Sequence, residues 1–260
     1  MTQAPLAGLG ILVTRPAHQA EHLSNLIRQA GGAPILFPAL EIVDIPDLQP
    51  LQDLIARLDQ FDLAIFISPN AVNKAMNLIR AQRKLPTHLQ IAAIGKGSAK
   101  VLAQFEVGVV ISPKQGFDSE ALLALPELNA VTDKRIVIFR GDGGREILGD
   151  LLVQRGAQVE YAECYRRIKP QVDNGKLLYL WARNELNAIT VTSSEVLRNL
   201  YDLVGKLGQQ WLKKTPVFVP HERIAEAARE LGLQQVYVTD VGDEGMVAGI
   251  AVWRAQQAQS

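Results

Sequence analysis

Short, nearly continuous apolar runs, separated by stretches with apolar residues three and four apart, set the rhythm of this chain. The runs Gly10 to Thr14, Ala33 to Phe37, Leu63 to Ile67, Ile91 to Ile94 and Val109 to Ile111 are rich in β-branched residues. So are Arg135 to Phe139, Gln158 to Tyr161, Ala188 to Val191, Val217 to Val219 and Val236 to Val238. Continuous rather than alternating hydrophobicity marks strands covered on both faces, as in a parallel sheet. Between them, Leu23, Leu26 and Ile27 form one helical stripe, and Ala71, Val72, Ala75, Met76 and Ile79 another. Strand and helix in alternation predict an α/β protein of doubly wound, parallel-sheet units.

The pattern occurs twice, at an offset of about 125 residues. Ile11-Leu12-Val13-Thr14-Arg15 recurs as Ile136-Val137-Ile138-Phe139-Arg140, and Gly31 recurs as Gly156. The run from Ile65 to Val72 recurs from Ile189 to Val196, and the block Ile91 to Ser112 from Val217 to Thr239. Gly31-Gly32 and Gly156 are expected to cap the first helix of each copy in the left-handed conformation. The extended segments Ala39 to Asp44 and Cys164 to Lys169, punctuated by Pro38, Pro46 and Pro170, are the expected crossings between two domains. A groove between duplicated units is the default ligand site.

Composition narrows the function classes. A chain of 260 residues suits two domains, and 27 basic against 27 acidic residues argue against a nucleic-acid surface. The single cysteine, Cys164, excludes an intrachain disulfide, fits a reducing compartment and reads as a small buried hydrophobe. No apolar stretch approaches the ~20 residues needed to cross a bilayer, and the N-terminus has no signal-peptide pattern. A cytoplasmic protein without membrane or nucleic-acid partners is expected.

Ligands of open α/β sheets bind beyond the carboxyl ends of the strands. The polar residues there are Thr14-Arg15-Pro16, Ser68-Pro69-Asn70 and Gly95-Lys96-Gly97-Ser98 in the first copy. The second copy supplies Arg140-Gly141-Asp142-Gly143-Gly144-Arg145, Thr192-Ser193-Ser194 and Pro220-His221-Glu222-Arg223. Hydroxyls, small residues and cations at helix starts suit an anionic ligand. A plain helix-capping role also accounts for Ser68, Asn70, Thr192 and Ser194, a turn role for Gly95 and Gly97, and solvation or pairing with Asp142 and Glu146 for Arg140 and Arg145. Residues 141 to 144 match neither a P-loop nor a dinucleotide fingerprint, so no cofactor is expected. His18, His22, His88 and His221 lack metal-ligand spacing; His18 and His22 are read as one solvated helical face, and no metal is expected. Tyr165, in the second crossing, either presents its phenol to the interdomain groove or packs the linker.

In order and spacing, Val13 to Pro16, Phe66 to Val72, Ala93 to Ala99, Arg140 to Glu146 and Glu163 to Arg167 resemble the uroporphyrinogen-III synthase family over essentially the full length. The resemblance implies two flavodoxin-like domains joined by a two-stranded linker. Domain 1 would be residues 1–38 plus 171–260, domain 2 residues 44–164, and the linker strands 39–43 and 165–170. The periodicity alone is equally compatible with a sequential split near residue 130. The implied reaction is cyclisation of hydroxymethylbilane, with inversion of the last ring and loss of water. The resemblance places the family's conserved tyrosine on Tyr165, implying a weak acid beside the departing hydroxyl. It implies substrate contacts by Arg15, Ser68, Asn70, Gly95, Lys96, Ser98, Arg140, Gly141, Arg145, Thr192, Ser193 and Ser194. A monomer is expected, with transient contact to the preceding enzyme of the pathway, and hinge closure over the substrate. A non-catalytic two-lobed protein binding an anionic metabolite would use the same residues without needing Tyr165. A flavodoxin-like redox protein is disfavoured by the absence of a hydroxyl-rich phosphate loop after the first strand.

Overall fold

The computed structural model describes residues 4–116, 118–143 and 146–257. Contacts divide the chain into two compact units, Met1–Glu41 with Ile168–Ser260, and Ile42–Arg167. The first unit opens with β1 (Gly10–Val13), α1 (Glu21–Gln29) and β2 (Ala33–Leu36), and β3 (Glu41–Val43) stands where the chain leaves it. The second unit continues with α2 (Gln49–Ala56), β4 (Leu63–Phe66), α3 (Pro69–Gln82), β5 (Gln90–Ala93), α4 (Lys96–Gln104) and β6 (Val110–Ile111). It then adds α5 (Ser119–Leu123), β7 (Arg135–Gly141), α6 (Ile147–Gln154) and β8 (Gln158–Ile168). The chain returns to the first unit for α7 (Gly175–Ala182), β9 (Ala188–Thr190), α8 (Ser194–Leu203) and α9 (Gly205–Leu212). It ends with β10 (Val217–Val219), α10 (Glu222–Glu230), β11 (Val236–Val238) and α11 (Asp243–Gln257).

The first unit's sheet has the order β11-β10-β9-β1-β2, with every pair parallel. Numbered within the unit, this is the 2-1-3-4-5 order of flavodoxin-like sheets, with the switch point between β1 and β9. The second sheet runs β3-β8-β7-β4-β5-β6, and its pairs from β8 to β6 are parallel. Apart from the added edge strand β3, it has the same order when β7 and β8 are counted first, which makes the second unit a circular permutation of the first. Its switch point lies between β7 and β4. The first sheet therefore takes two strands from the first copy of the sequence repeat and three from the second, and the second sheet takes four from the first copy and two from the second, so strands of both copies share each sheet.

Both faces of the central strands are covered, as continuous hydrophobicity requires. In the second unit, Ala64, Phe66, Val137 and Phe139 face the layer containing α2, α3 and α4, while Leu63, Ile65, Ile136 and Ile138 face Leu122, Leu148 and Leu152. Phe66 and Phe139 stack with ring centroids 4.7 Å apart and an interplanar angle of 9°. A core of Leu23, Ile27, Phe218, Met246, Ile250 and Trp253 covers one face of the first sheet.

The repeat is visible in local detail. Gly31 (φ +86°) and Gly156 (φ +87°) end α1 and α6 in the left-handed region. The following amides close matching bonds, Gly32 N to Ile27 O at 2.9 Å and Ala157 N to Leu152 O at 3.0 Å. Two expectations fail. β8 does not stop at Tyr161 but continues to Ile168, absorbing most of the segment read as a separate crossing. His18 lies in a 3-10 turn (Ala17–Gln19) while His22 belongs to α1, so the two do not share one helix.

Candidate functional site at the strand ends

At the second unit's switch point β4 gives way to Ser68, whose backbone is extended (φ −157°). Its hydroxyl oxygen accepts the Ala71 amide at 3.1 Å and caps α3, and Pro69 fits the first helical position because no amide is needed there. On the other side of the switch point the β7–β8 ladder slips by one residue, so that Arg140 faces Glu163 but Gly141 faces Tyr165. The slip is a bulge, with Cys164 the extra residue, and the Asp142 amide closes it on the Tyr165 carbonyl at 2.8 Å.

The bulge sets the tyrosine. Tyr165 is 5% exposed, and its hydroxyl lies 3.0 Å from Ser68 Oγ. A methyl at position 141 would come within 2.7 Å of two Tyr165 ring carbons, so the ring occupies the space that glycine leaves. Tyr165 thus packs within the second unit's own core instead of standing in a free linker segment.

The adjacent β5 leads into Gly95, an extended N-cap residue (φ −148°), and Lys96 begins α4. Neither Gly95 nor Gly97 is a left-handed turn residue; Gly97 lies in α4, where a methyl would sit 3.3 Å from Pro69 Cγ. That close approach lets α3 and α4 start side by side. Ser68, Asn70, Gly95, Lys96 and the buried Ser98 are accordingly gathered at one end of one sheet.

Arg140 is neither solvated nor paired with Asp142 or Glu146. It is buried, with its guanidinium 4.4 Å from the Tyr161 ring centroid and 3.9 Å from Glu163. Its Nε has no hydrogen-bond partner among the described residues. Asp142 instead meets Arg166 Nε at 3.3 Å and the Arg167 amide at 3.1 Å. Arg145, expected to bind substrate, and Gly144 lie outside the described residues. Burial raises the Tyr161 phenol above its ordinary value and pushes the Cys164 thiol up to about 12. Cys164 therefore behaves as the small apolar residue the sequence suggests.

The first unit's switch point is locked by a reciprocal pair. Thr14 Oγ1 donates to the Thr190 carbonyl at 2.7 Å, and Thr190 Oγ1 to the Leu12 carbonyl at 2.8 Å. Arg15 follows β1 and pairs with Asp243 at 2.6 Å, a carboxylate that also meets His22 Nδ1 at 2.8 Å. Of the three consecutive hydroxyls after β9, Ser193 caps α8 by accepting the Val196 amide at 3.1 Å. Thr192 precedes the cap and Ser194 is the first helical residue, so neither is the cap itself. Asn70, likewise, is a helical residue and not a cap.

Sequence reasoning missed Asp243 as the partner of Arg15 and Tyr161 as the partner of Arg140. Both contacts join positions far apart in the chain, and no spacing rule links them. It also missed a cavity of about 580 Å³ in the second unit, bordered by Pro50, Leu51, Leu54, Tyr161, Glu163 and Arg166. Among the described residues, no cluster of three or more His, Cys, Asp or Glu could hold a metal, and no helix is long and apolar enough to cross a membrane.

Residues 21–248 match the family model described as uroporphyrinogen-III synthase HemD. Over 237 residues the chain is 37% identical to the uroporphyrinogen-III synthase of Escherichia coli K12, covering 90% of this chain and 96% of that protein. It is 31% identical to that of Synechococcus elongatus over 267 residues, covering 98% and 99%. In three dimensions it is similar to a mutant uroporphyrinogen III synthase of Thermus thermophilus (TM-score 0.65, 18% identity, 97% of this chain and 100% of that one). It is also similar to the uroporphyrinogen-III synthetase of Helicobacter pylori 26695 (TM-score 0.57, 14% identity, 96% and 99%).

Proposed function

Because this chain belongs to the uroporphyrinogen-III synthase family, we propose that it closes hydroxymethylbilane with Tyr165 as the acid for the departing hydroxyl. The activity is that of a cyclising lyase of tetrapyrrole biosynthesis. The step begins as the carbon–oxygen bond of the hydroxymethyl group breaks. Its electron pair leaves with oxygen, which takes the Tyr165 proton and departs as water, while the pyrrole nitrogen lone pair supplies electrons to the carbon. The substituted carbon of the last ring attacks the resulting azafulvenium and forms a spiro intermediate. Its rearrangement inverts that ring, and the proton lost on restoring aromaticity returns to the phenolate.

Orientation carries most of the selectivity, because the unguided cation closes to the uninverted isomer. The substrate has eight carboxylates. We assign them to the helix starts and cations at the strand ends, with the backbone of Ser68, and Asn70, Gly95, Lys96 and Ser98, at α3 and α4, and Thr192, Ser193 and Ser194 at α8. Arg15, Arg140, Arg145 and the Gly141 backbone complete the set. We further propose that the two compact units are the protein's two domains, and that it works as a cytoplasmic monomer in transient contact with the enzyme that supplies its substrate.

One observation supports the acid assignment above all: the Tyr165 hydroxyl sits beside the α3 cap at a switch point, where doubly wound sheets bind ligands. The test is turnover of freshly prepared hydroxymethylbilane with isomers I and III resolved by chromatography. Wild type is expected to give isomer III, and Tyr165→Phe to lower kcat about 100-fold with substrate affinity retained. A Tyr165→Phe enzyme with wild-type kcat would remove the tyrosine from the mechanism. A wild-type protein yielding only isomer I would favour the binding-protein reading.

A further inference from the structure

We propose that Ser68 is a positioning residue for this reaction, donating its hydroxyl proton to the Tyr165 oxygen so that the phenol proton is left for the departing group. The inference rests on the assignment of Tyr165 as the acid. Ser68 Oγ already accepts the Ala71 amide at 3.1 Å, which fixes the oxygen but leaves its one proton to be placed. Its neighbour is the Tyr165 oxygen at 3.0 Å. Two arrangements fill this contact. If Tyr165 donates to Ser68, the phenol proton is occupied. If Ser68 donates to Tyr165, the phenol proton is free for transfer and the oxygen left behind already holds one aligned hydrogen bond.

The developing charge selects between them. As the proton leaves, the Tyr165 oxygen becomes negative, and a hydrogen bond to a charged acceptor is about twice as strong as a neutral one. The donor chain runs from the Ala71 amide through Ser68 to Tyr165, and it starts at the positive end of the 14-residue α3. Stabilisation that grows only as the proton departs speeds the step instead of tightening ground-state binding. The pair is held together from both sides. The Tyr165 ring lies on Gly141, its carbonyl is held by the Asp142 amide, and Ser68 is held by its own cap.

The experiment compares kcat and KM for Ser68→Ala, Ser68→Thr and Ser68→Asp, together with Tyr165→Phe and the Ser68→Ala/Tyr165→Phe pair, on hydroxymethylbilane. Ser68→Ala is expected to lower kcat about tenfold at similar KM, the worth of one hydrogen bond to a charged group. Threonine keeps both cap and donor and should restore most of the rate. Aspartate keeps the cap, and so the melting temperature, but its carboxylate cannot donate; kcat should fall at least as far as in Ser68→Ala. In the Tyr165→Phe background, Ser68→Ala should cost almost nothing more. Full additivity of the two losses, a change in KM alone, or an active Ser68→Asp enzyme would overturn the role of Ser68 while leaving Tyr165 as the acid. If Tyr165→Phe turns over at the wild-type rate, both assignments fall together.

Discussion

At the scale of single residues, Gly141 and Cys164 show how one bulge arranges the site. The slip between Arg140 and Gly141 turns Tyr165 onto the glycine and leaves Cys164 buried behind it. Gly141→Ala would place a methyl 2.7 Å from the Tyr165 ring. It is expected to lower stability by roughly 1–3 kcal/mol, as overpacking does, and to reduce kcat by displacing the phenol; the urea midpoint and turnover check both. Cys164 makes a prediction with a definite sign. Its thiol titrates near 9.0 when unperturbed and near 12 in the fold, so between those values the unfolded chain loses a proton that the native protein keeps. The stability conferred by the neutral thiol is complete below pH 9 and is lost as pH rises towards 12. Relative to Cys164→Ser, the wild type should lose about 1.4 kcal/mol per pH unit in that window, measured by urea unfolding at a series of pH values. Equal slopes for the two proteins would contradict the burial of the thiol. The burial of Cys164 was legible from composition, since a lone cysteine in an apolar run is normally inert. The seat of Tyr165 was not, because a bulge depends on how two strands align and leaves no trace in hydrophobic periodicity.

At the scale of elements, the helix starts were readable as places but not as atoms. Three hydroxyls follow β9, and propensity alone does not separate the two serines. Ser193 becomes the cap because β9 ends at Thr190 and the chain is extended through residue 193 (φ −154°) before the helix begins. Ser193→Ala is therefore expected to cost about 1 kcal/mol of stability, while Ser194→Ala costs little; urea midpoints distinguish them. A larger loss at Ser194 would reverse the assignment. The strands came through within a residue or two, except β8. Glu163, Arg166 and Arg167 interrupt its apolar run beyond Tyr161, so its sequence resembles a short strand followed by a loop. In the fold, Glu160 is held below the usual carboxylate range by hydrogen bonding to Arg57, which approaches to 2.6 Å, with Arg135 adding to the effect. A charged residue that finds such a partner can remain in a strand.

At the scale of the whole molecule, the three tryptophans Trp181, Trp211 and Trp253 all belong to the first unit. If the units are independent domains, urea unfolding followed by tryptophan fluorescence reports the first alone, while far-ultraviolet circular dichroism reports both. The two curves are expected to separate, and coincident transitions would argue for one cooperative unit. The α/β class, the duplication, the helix-capping glycines and the polar strand ends are all readable from the order of residues, because each follows from local periodicity or a local backbone demand. Which strands share a sheet becomes visible in the folded chain alone. β1 joins β9, with Thr14 bonded to a carbonyl 176 residues away, and β4 joins β7. The two copies carry nearly the same hydrophobic pattern, so that pattern cannot say which half pairs with which. The choice rests on long-range side-chain packing that exists only once the chain has closed.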